Sequence, residues 1–448
     1  MADPAAMSVT PYWELTFDAD GDTDIRGRDR LLAGVAQHHV RDLLVFAHGW
    51  NNDRSGATRL YSDFFAPVPR VAPGAGLGYA GVVWPSMRFS DEPIPDFPRT
   101  VAAEMPPRPA LDKDTRHALL ETFPGRATVI ERIAGLLDQQ PGADAGLEEF
   151  GRLVRMLVEV VPTEPQVRFA ADTLVDGVPQ RDPVMFSESV PELCEEFARA
   201  LAELESPGGP VAEFSIPNPW DGAHELLRQA TYYAMKRRAG AVGERGLGRV
   251  LGQLAAAAPD VRVHLVGHSF GARLVSFALR GLPPGVRTVK SLTLLQGAFS
   301  HYAFADRLPH DPRAKGVLQG QHHRVDGPVV CCYSRHDSAL ATMYPLASRM
   351  ADDDRTVGID AHGAFRGFDV GSALGARWGA MGHDGVQAVP GTRSLKLAEA
   401  LRAELPASGC VNVDAAEVVK RGGPPAGAHS DICHQELARL VVTAGRIR

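Results

Sequence analysis

The chain has 448 residues, 44% of them hydrophobic and 23% charged, with a formal net charge of -7 at neutral pH. That length suits one large α/β domain carrying an insertion, or two domains. The acidic balance leaves no electrostatic footprint for nucleic acid or an anionic membrane, so the partner expected is a small or neutral molecule.

The opening residues MADPAAMSVTPYWEL lack the basic and apolar regions of a secretory signal. No apolar run reaches the roughly 18 residues that crossing a bilayer takes, so the chain reads as a cytoplasmic protein with no transmembrane segment. Cys194, Cys331, Cys332, Cys410 and Cys433 lack metal-ligand spacing and read as reduced packing residues.

In chain order, short apolar runs alternate with helical patterns. Strands are expected at 12–19 (YWELTFDA), 42–49 (DLLVFAHG), 79–84 (YAGVVW), 261–268 (VRVHLVGH), 289–298 (VKSLTLLQGA), 328–334 (PVVCCYS) and 410–415 (CVNVDA). Helices are expected at 24–39, 55–65, 246–258, 271–282 and 430–446. Several strands are continuously apolar, as central strands covered on both faces are, which predicts an α/β fold with a mostly parallel, doubly wound sheet.

After VVWPS the alternation stops. A proline-rich stretch, DEPIPDFPRT (91–100), precedes a helical region from about Thr115 to Leu204, with patterns at 126–140, 146–161 and 190–205. The chain returns from this region to the same sheet. Residues 101–214 are therefore expected to form a helical cap inserted into a core of residues 1–100 and 215–448, in preference to an independent interaction domain. Residues 338–393 are irregular, and their acidic run ADDDR (351–355) reads as a solvated loop. GAGLG (74–78) precedes a strand, whereas a dinucleotide fingerprint follows one.

The strand at 261–268 meets its helix at GHSFG: Gly267, His268, Ser269, Phe270, Gly271. A serine hydroxyl is a weak nucleophile without a base in hydrogen-bond reach. A sharp strand-to-helix turn lifts its oxygen clear of the sheet, flanking glycines let strand and helix approach, and the helix N-terminus aims N–H groups where an oxyanion develops. Ser269 is therefore the candidate nucleophile of such an elbow.

HGWNN (48–52), GHSFG (267–271), an aspartate just past a later strand and a histidine just past the last strand together resemble the α/β-hydrolase superfamily, in particular its serine esterase, lipase and peptidase-like members. The resemblance implies an α/β-hydrolase fold outside the insertion, a Ser-His-Asp triad, and an oxyanion hole made by the backbone N–H groups of Trp50 and Phe270. It is specific to fold and triad, much less so to substrate.

The expected acid is Asp337, at the C-terminal end of the strand at 328–334, where open α/β sheets collect functional groups. Its place in the chain, after the serine and before the histidine, matches the superfamily. The alternative role is an N-cap for a helix starting at DSALATMY, and Asp306 and Asp311 are fallback acids. His429 lies between the last strand and the final helix, for which Ser430 or Asp431 is the natural N-cap. The superfamily uses that location for the general base. His383 and His434 are rivals. His322 and His323 would point to opposite faces of an extended chain, a poor metal pair.

Trp84, Ser86 and Phe299 follow strands on the catalytic edge and, with His48 and His268 from the motifs, are candidate substrate-binding residues. Trp84 reads equally well as core. The expected activity is hydrolysis of a small-molecule or lipid-like ester through an acyl-enzyme, which needs neither metal nor organic cofactor. A peptidase or amidase of the same fold, and a non-catalytic binding protein that retains it, are the alternatives.

Overall fold

A continuously apolar strand can be buried only if both faces of its sheet are covered, and the structure shows how this chain does so. It is a computed structural model that describes residues 7–50, 52–87, 111–142, 144–159, 168–177, 183–186, 188–205, 218–345, 348, 377–423 and 426–448. The strands are β1 (Tyr12–Thr16), β2 (Asp42–Ala47), β3 (Leu77–Val83), β4 (Thr173–Val175), β5 (Arg262–His268), β6 (Val289–Leu295), β7 (Ala314–Gly316), β8 (Pro328–Tyr333), β9 (Arg393–Lys396) and β10 (Gly409–Asp414). Eight of them form one sheet in the order β1-β3-β2-β5-β6-β8-β10-β9, and β4 and β7 form a separate antiparallel ribbon. Every neighbouring pair in the large sheet is parallel.

The long helices are α1 (Ile25–Gln37), α2 (Arg54–Phe65), α3 (Lys113–Thr122), α4 (Ala127–Gln139), α5 (Asp144–Val158), α6 (Val190–Glu205), α7 (Pro219–Ala241), α8 (Gly248–Ala257), α9 (Phe270–Gly281) and α10 (Gln435–Gly445). Alternate residues of β2 feed two cores. Leu43, Val45 and Ala47 join Leu31 of α1, Val250 of α8 and Leu274 of α9, whereas Leu44 and Phe46 join Phe64 of α2 and Leu437 of α10. The sheet is thus covered on both faces. No described helix is long and apolar enough to cross a membrane.

All seven expected strands are present, and two of them stop three residues early. The run 289–298 ends at Leu295 because Gln296 takes φ 43°, a left-handed conformation that ends the extended chain. The run 12–19 ends at Thr16. The edge strand β9 was not expected: RSLK is short, polar and largely exposed, so it lacks the apolar signal that marks a strand. The final helix was expected to open at Ser430 or Asp431, but it opens at Gln435. The Asp431 carboxylate instead accepts from the N–H groups of Lys420 and Arg421, at 2.9 and 2.8 Å, and pairs with His434. His434 takes the N-cap position. Four cysteines are buried, as packing residues are, but Cys433 is exposed.

Helices α3 to α6 follow β3, and their apolar side chains, among them Ile130, Phe150 and Phe197, belong to the same hydrophobic cluster as the sheet face. The proline-rich stretch 91–100 and the run ADDDR lie outside the described residues. Helix α7 also escaped the sequence pattern. It is buried almost all round, Glu225, Lys236, Arg237 and Arg238 included, so it shows no polar face from which a helical period could be read.

One buried carboxylate joins these layers. Asp172 lies 2.8 Å from Lys236 of α7 and 3.0 Å from Arg273 of α9, and all three side chains are fully buried. Asp172 also accepts from the Ser300 N–H at 2.9 Å and the Tyr344 hydroxyl at 3.2 Å. Burial by itself would raise the Asp172 carboxyl, but the two cations override it and hold the group below the usual carboxylate range. Removing the carboxylate would strand two buried cations. Asp172→Ala is expected to lower unfolding free energy by about 3–5 kcal/mol in urea denaturation, and a loss under about 1 kcal/mol would mean that the cations are compensated elsewhere.

Candidate active site

The turn between β5 and α9 is strained at one residue. Ser269 has φ 55° and ψ -121°, a conformation that costs a side-chain-bearing residue about 1–3 kcal/mol. Its surroundings leave no alternative. The Ser269 N–H donates to the Leu295 carbonyl at 3.1 Å, and its carbonyl accepts from Ala272 at 3.1 Å and Ala298 at 3.3 Å. A Cβ on Gly267 would stand 2.4 Å from the Gly271 oxygen, one on Gly271 1.9 Å from the Ala47 oxygen, and one on Gly49 2.6 Å from the Ser269 Cβ. No side chain fits at these three positions. The chain leaves β2 toward β3 on one side, while β5, on the other side of β2, leads away to β6. Ser269 therefore stands at a switch point, where the carboxyl ends of two adjacent strands open a crevice.

Three side chains from distant segments converge there. His429 Nε2 is 2.9 Å from Ser269 Oγ, and His429 Nδ1 is 2.7 Å from Asp337 Oδ2. A carboxylate only accepts, so Nδ1 carries the proton and Nε2 is left to accept from the serine hydroxyl. Asp337 is fully buried and uses its two oxygens differently: Oδ2 meets His429, and Oδ1 accepts from the Leu340 N–H at 3.0 Å. The two roles weighed for this residue, partner of the histidine and cap of the following turn, coexist in one carboxylate. Such a chain can draw a proton from the hydroxyl as its oxygen attacks an electrophile.

The rival groups lie in other segments. Asp311 is forked by Arg313 at 2.9 and 3.0 Å, and Asp306 contributes its carbonyl to the Gln319 amide. His434 pairs with Asp431, and His383 lies on a short helical turn, Met381–Asp384. His322 and His323 do not sit in extended chain. They belong to a 3-10 turn that brings their rings to 3.9 Å.

The motif at 48–50 forms a braced support. The His48 N–H donates to the Tyr61 hydroxyl at 2.9 Å, which donates to the Val82 carbonyl at 2.5 Å. The Trp84 indole N–H donates to the His48 carbonyl at 3.0 Å, and the two rings stack at 5.5 Å. The His48 Nδ1–H donates to the Gly49 carbonyl at 2.8 Å. Because a trans peptide holds its C=O and N–H in opposite directions, fixing that carbonyl also fixes the direction of the Trp50 N–H. His48 and Trp84 are thus buried beneath the turn. Ser86 is half-buried and donates to the Asn52 carbonyl at 2.5 Å. Phe299 is fully buried in the core. His268, buried beside Ser269, has its ring 5.0 Å from that of His429.

Tyr232 was missed from the sequence. It extends from α7 to within 4.5 Å of the Phe270 ring and 5.5 Å of the Trp50 ring, joining the side chains of both residues expected to supply N–H donors. With α7 invisible to periodicity, no signal singled it out.

A second serine, histidine and aspartate meet near the amino ends of β2, β5 and β6, at the opposite edge of the same sheet. His264 Nδ1 is 2.9 Å from Ser291 Oγ and its Nε2 is 2.9 Å from Asp42 Oδ1, with all three buried. Asp42 is held as well by Arg262 at 3.0 Å.

Set against protein-family models, curated proteins and solved structures, the chain matches none.

Burial lowers His48 to about 4 and His268 to about 3, so both are neutral when folded and protonate near 6.5 when unfolded. Between pH 6.5 and those values the unfolded chain binds more protons, so stability falls as pH falls, by up to about 1.4 kcal/mol per pH unit for each imidazole. Urea denaturation between pH 7 and 5 should show this slope, and His48→Gln should make it shallower by one proton.

Proposed function

We propose that the protein is a serine hydrolase of the α/β-hydrolase type that cleaves carboxylic esters. The observation that carries this reading is the continuous hydrogen-bond chain from Asp337 through His429 to Ser269, ending on a serine in strained backbone at a switch point. The all-parallel, doubly covered sheet supports the fold assignment, as does a strand-turn-helix with glycines at the points of closest approach.

In this mechanism Ser269 Oγ attacks the acyl carbonyl while His429 Nε2 takes its proton. Asp337 remains ionised, keeps the proton on Nδ1 and stabilises the imidazolium. The tetrahedral oxyanion accepts from the N–H groups of Trp50 and Phe270. Phe270 opens α9, so its N–H has no acceptor within the helix. His429 then gives the proton to the departing alcohol oxygen, leaving an acyl-serine. Water, deprotonated by His429, releases the acid by the same steps in reverse.

The helical region after β3 acts as a cap in this reading. The rings of Tyr232, Trp50 and Phe270 beside the oxyanion position suit an apolar acyl chain, which favours small or lipid-like esters over charged ones.

Intact-mass measurement after treatment with a fluorophosphonate tests the reading. Wild type should gain one adduct and Ser269→Ala none, with His429→Ala slowed by at least about 100-fold. Hydrolysis of p-nitrophenyl esters of increasing chain length should then follow the same pattern across the variants. A folded wild type that gains no adduct overturns the proposal.

A further inference from the structure

We infer that His268 is a positioning residue that holds the loop carrying His429 in register with Ser269. Its effect on rate rests on the triad reading above, and its effect on geometry does not.

The loop needs an external anchor. His429 belongs neither to a helix nor to a strand, since β10 ends at Asp414 and α10 opens only at Gln435. Its flanks are tied, by the Asp431 N–H to the Ala428 carbonyl at 3.0 Å and by the Ala339 N–H to the Ala426 carbonyl at 3.3 Å, but at His429 itself the bonds are few. Ala428 donates to the His336 carbonyl at 2.8 Å, and the His429 N–H reaches the Ala426 carbonyl at 3.4 Å, a long contact within the loop itself. The carbonyl of His429 accepts from His268 Nε2 at 2.8 Å. This is a side chain from the sheet gripping the very residue whose imidazole must meet the serine.

His268 and Ser269 are consecutive at the end of β5, so the contacts close a circuit. One strand end supplies both the hydroxyl that meets His429 Nε2 at 2.9 Å and the imidazole that holds the His429 backbone. A shift of the loop away from the serine must therefore also break the bond to His268.

The tautomer follows from the partner. A carbonyl can only accept, so His268 carries its proton on Nε2, and Nδ1 is left a bare acceptor, buried without a hydrogen-bond partner among the described residues. The ring is placed for its one bond to the loop and not for a substrate. Burial, and then the nearness of His429, keep it neutral when His429 takes up a proton, so no second charge opposes the imidazolium.

Three substitutions separate the bond from the packing. His268→Gln carries an amide N–H at about the reach of the imidazole Nε2, His268→Asn carries one too short to reach, and His268→Leu fills the space without a donor. The first readout is the low-field proton resonance of the Nδ1–H that His429 shares with Asp337. The second is the rate of fluorophosphonate labelling across pH. The resonance should survive in His268→Gln and broaden or vanish in His268→Asn and His268→Leu. Labelling should be slowed about 10–100-fold in the last two and stay within about a factor of three of wild type in His268→Gln.

A His268→Leu protein with both signals intact overturns the inference. So does His268→Gln behaving like His268→Leu, which would make the residue a packing group. If His268→Leu fails to fold, the contrast between Gln and Asn, two amides one methylene apart, decides alone. If wild type does not label at all, the hydrolase reading fails and the resonance by itself decides the role of His268.

Discussion

Ser269 keeps a positive φ because β5 must end and α9 must begin within a single residue, with β2 pressed against the junction. Much of the site follows from that constraint. The turn leaves no room for a side chain at Gly267, Gly271 or Gly49, and in exchange it brings the Ser269 hydroxyl to His429 beside the crevice between β2 and β5. The bonds from Leu295, Ala272 and Ala298 over-determine the backbone, which is how a conformation disfavoured in isolation persists in the folded chain.

The second constraint is electrostatic. Asp172 meets one cation from α7 and one from α9, so the helix behind the serine and the helix bearing Tyr232 share a carboxylate that neither can leave without exposing a charge to a dry interior. The guanidinium of Arg273 also lies over the Phe277 ring, at 4.2 Å from its centroid, and donates to the Phe169 carbonyl at 2.9 Å. Together these contacts tie the region after β3 to α9.

The sequence was legible where structure depends on the identity of consecutive residues. The corner at 267–271 shows because steric demands fall on adjacent positions, and Asp337 and His429 show because each follows a buried strand whose apolar run is unmistakable. The alternation of strands and helices likewise reads as a parallel sheet. Legibility fails where tertiary contacts replace local pattern. Helix α7 carries buried polar groups, some of them answered by partners from elsewhere, such as Arg237 on the Val158 carbonyl at 2.6 Å. The start of α10 depends on Asp431 being claimed by Lys420 and Arg421, ten or more residues earlier in the chain. His48 belonged visibly to a motif, but its bracing role depends on Tyr61 and Trp84, which no spacing rule connects to it.

The buried set of Ser291, His264 and Asp42 gives this fold an internal control. A template that matched only residue types and distances would return two answers for this chain, one beyond the carboxyl ends of the strands and one near their amino ends, with only β5 common to both. Strand polarity separates them. At the carboxyl ends the chain turns outward and a helix offers its open N–H groups, whereas at the amino ends the same three residue types spend their hydrogen bonds sewing β2, β5 and β6 together. In a parallel sheet every strand points the same way, so one asymmetry of the backbone decides which trio stands beside open N–H groups and which serves as a seam.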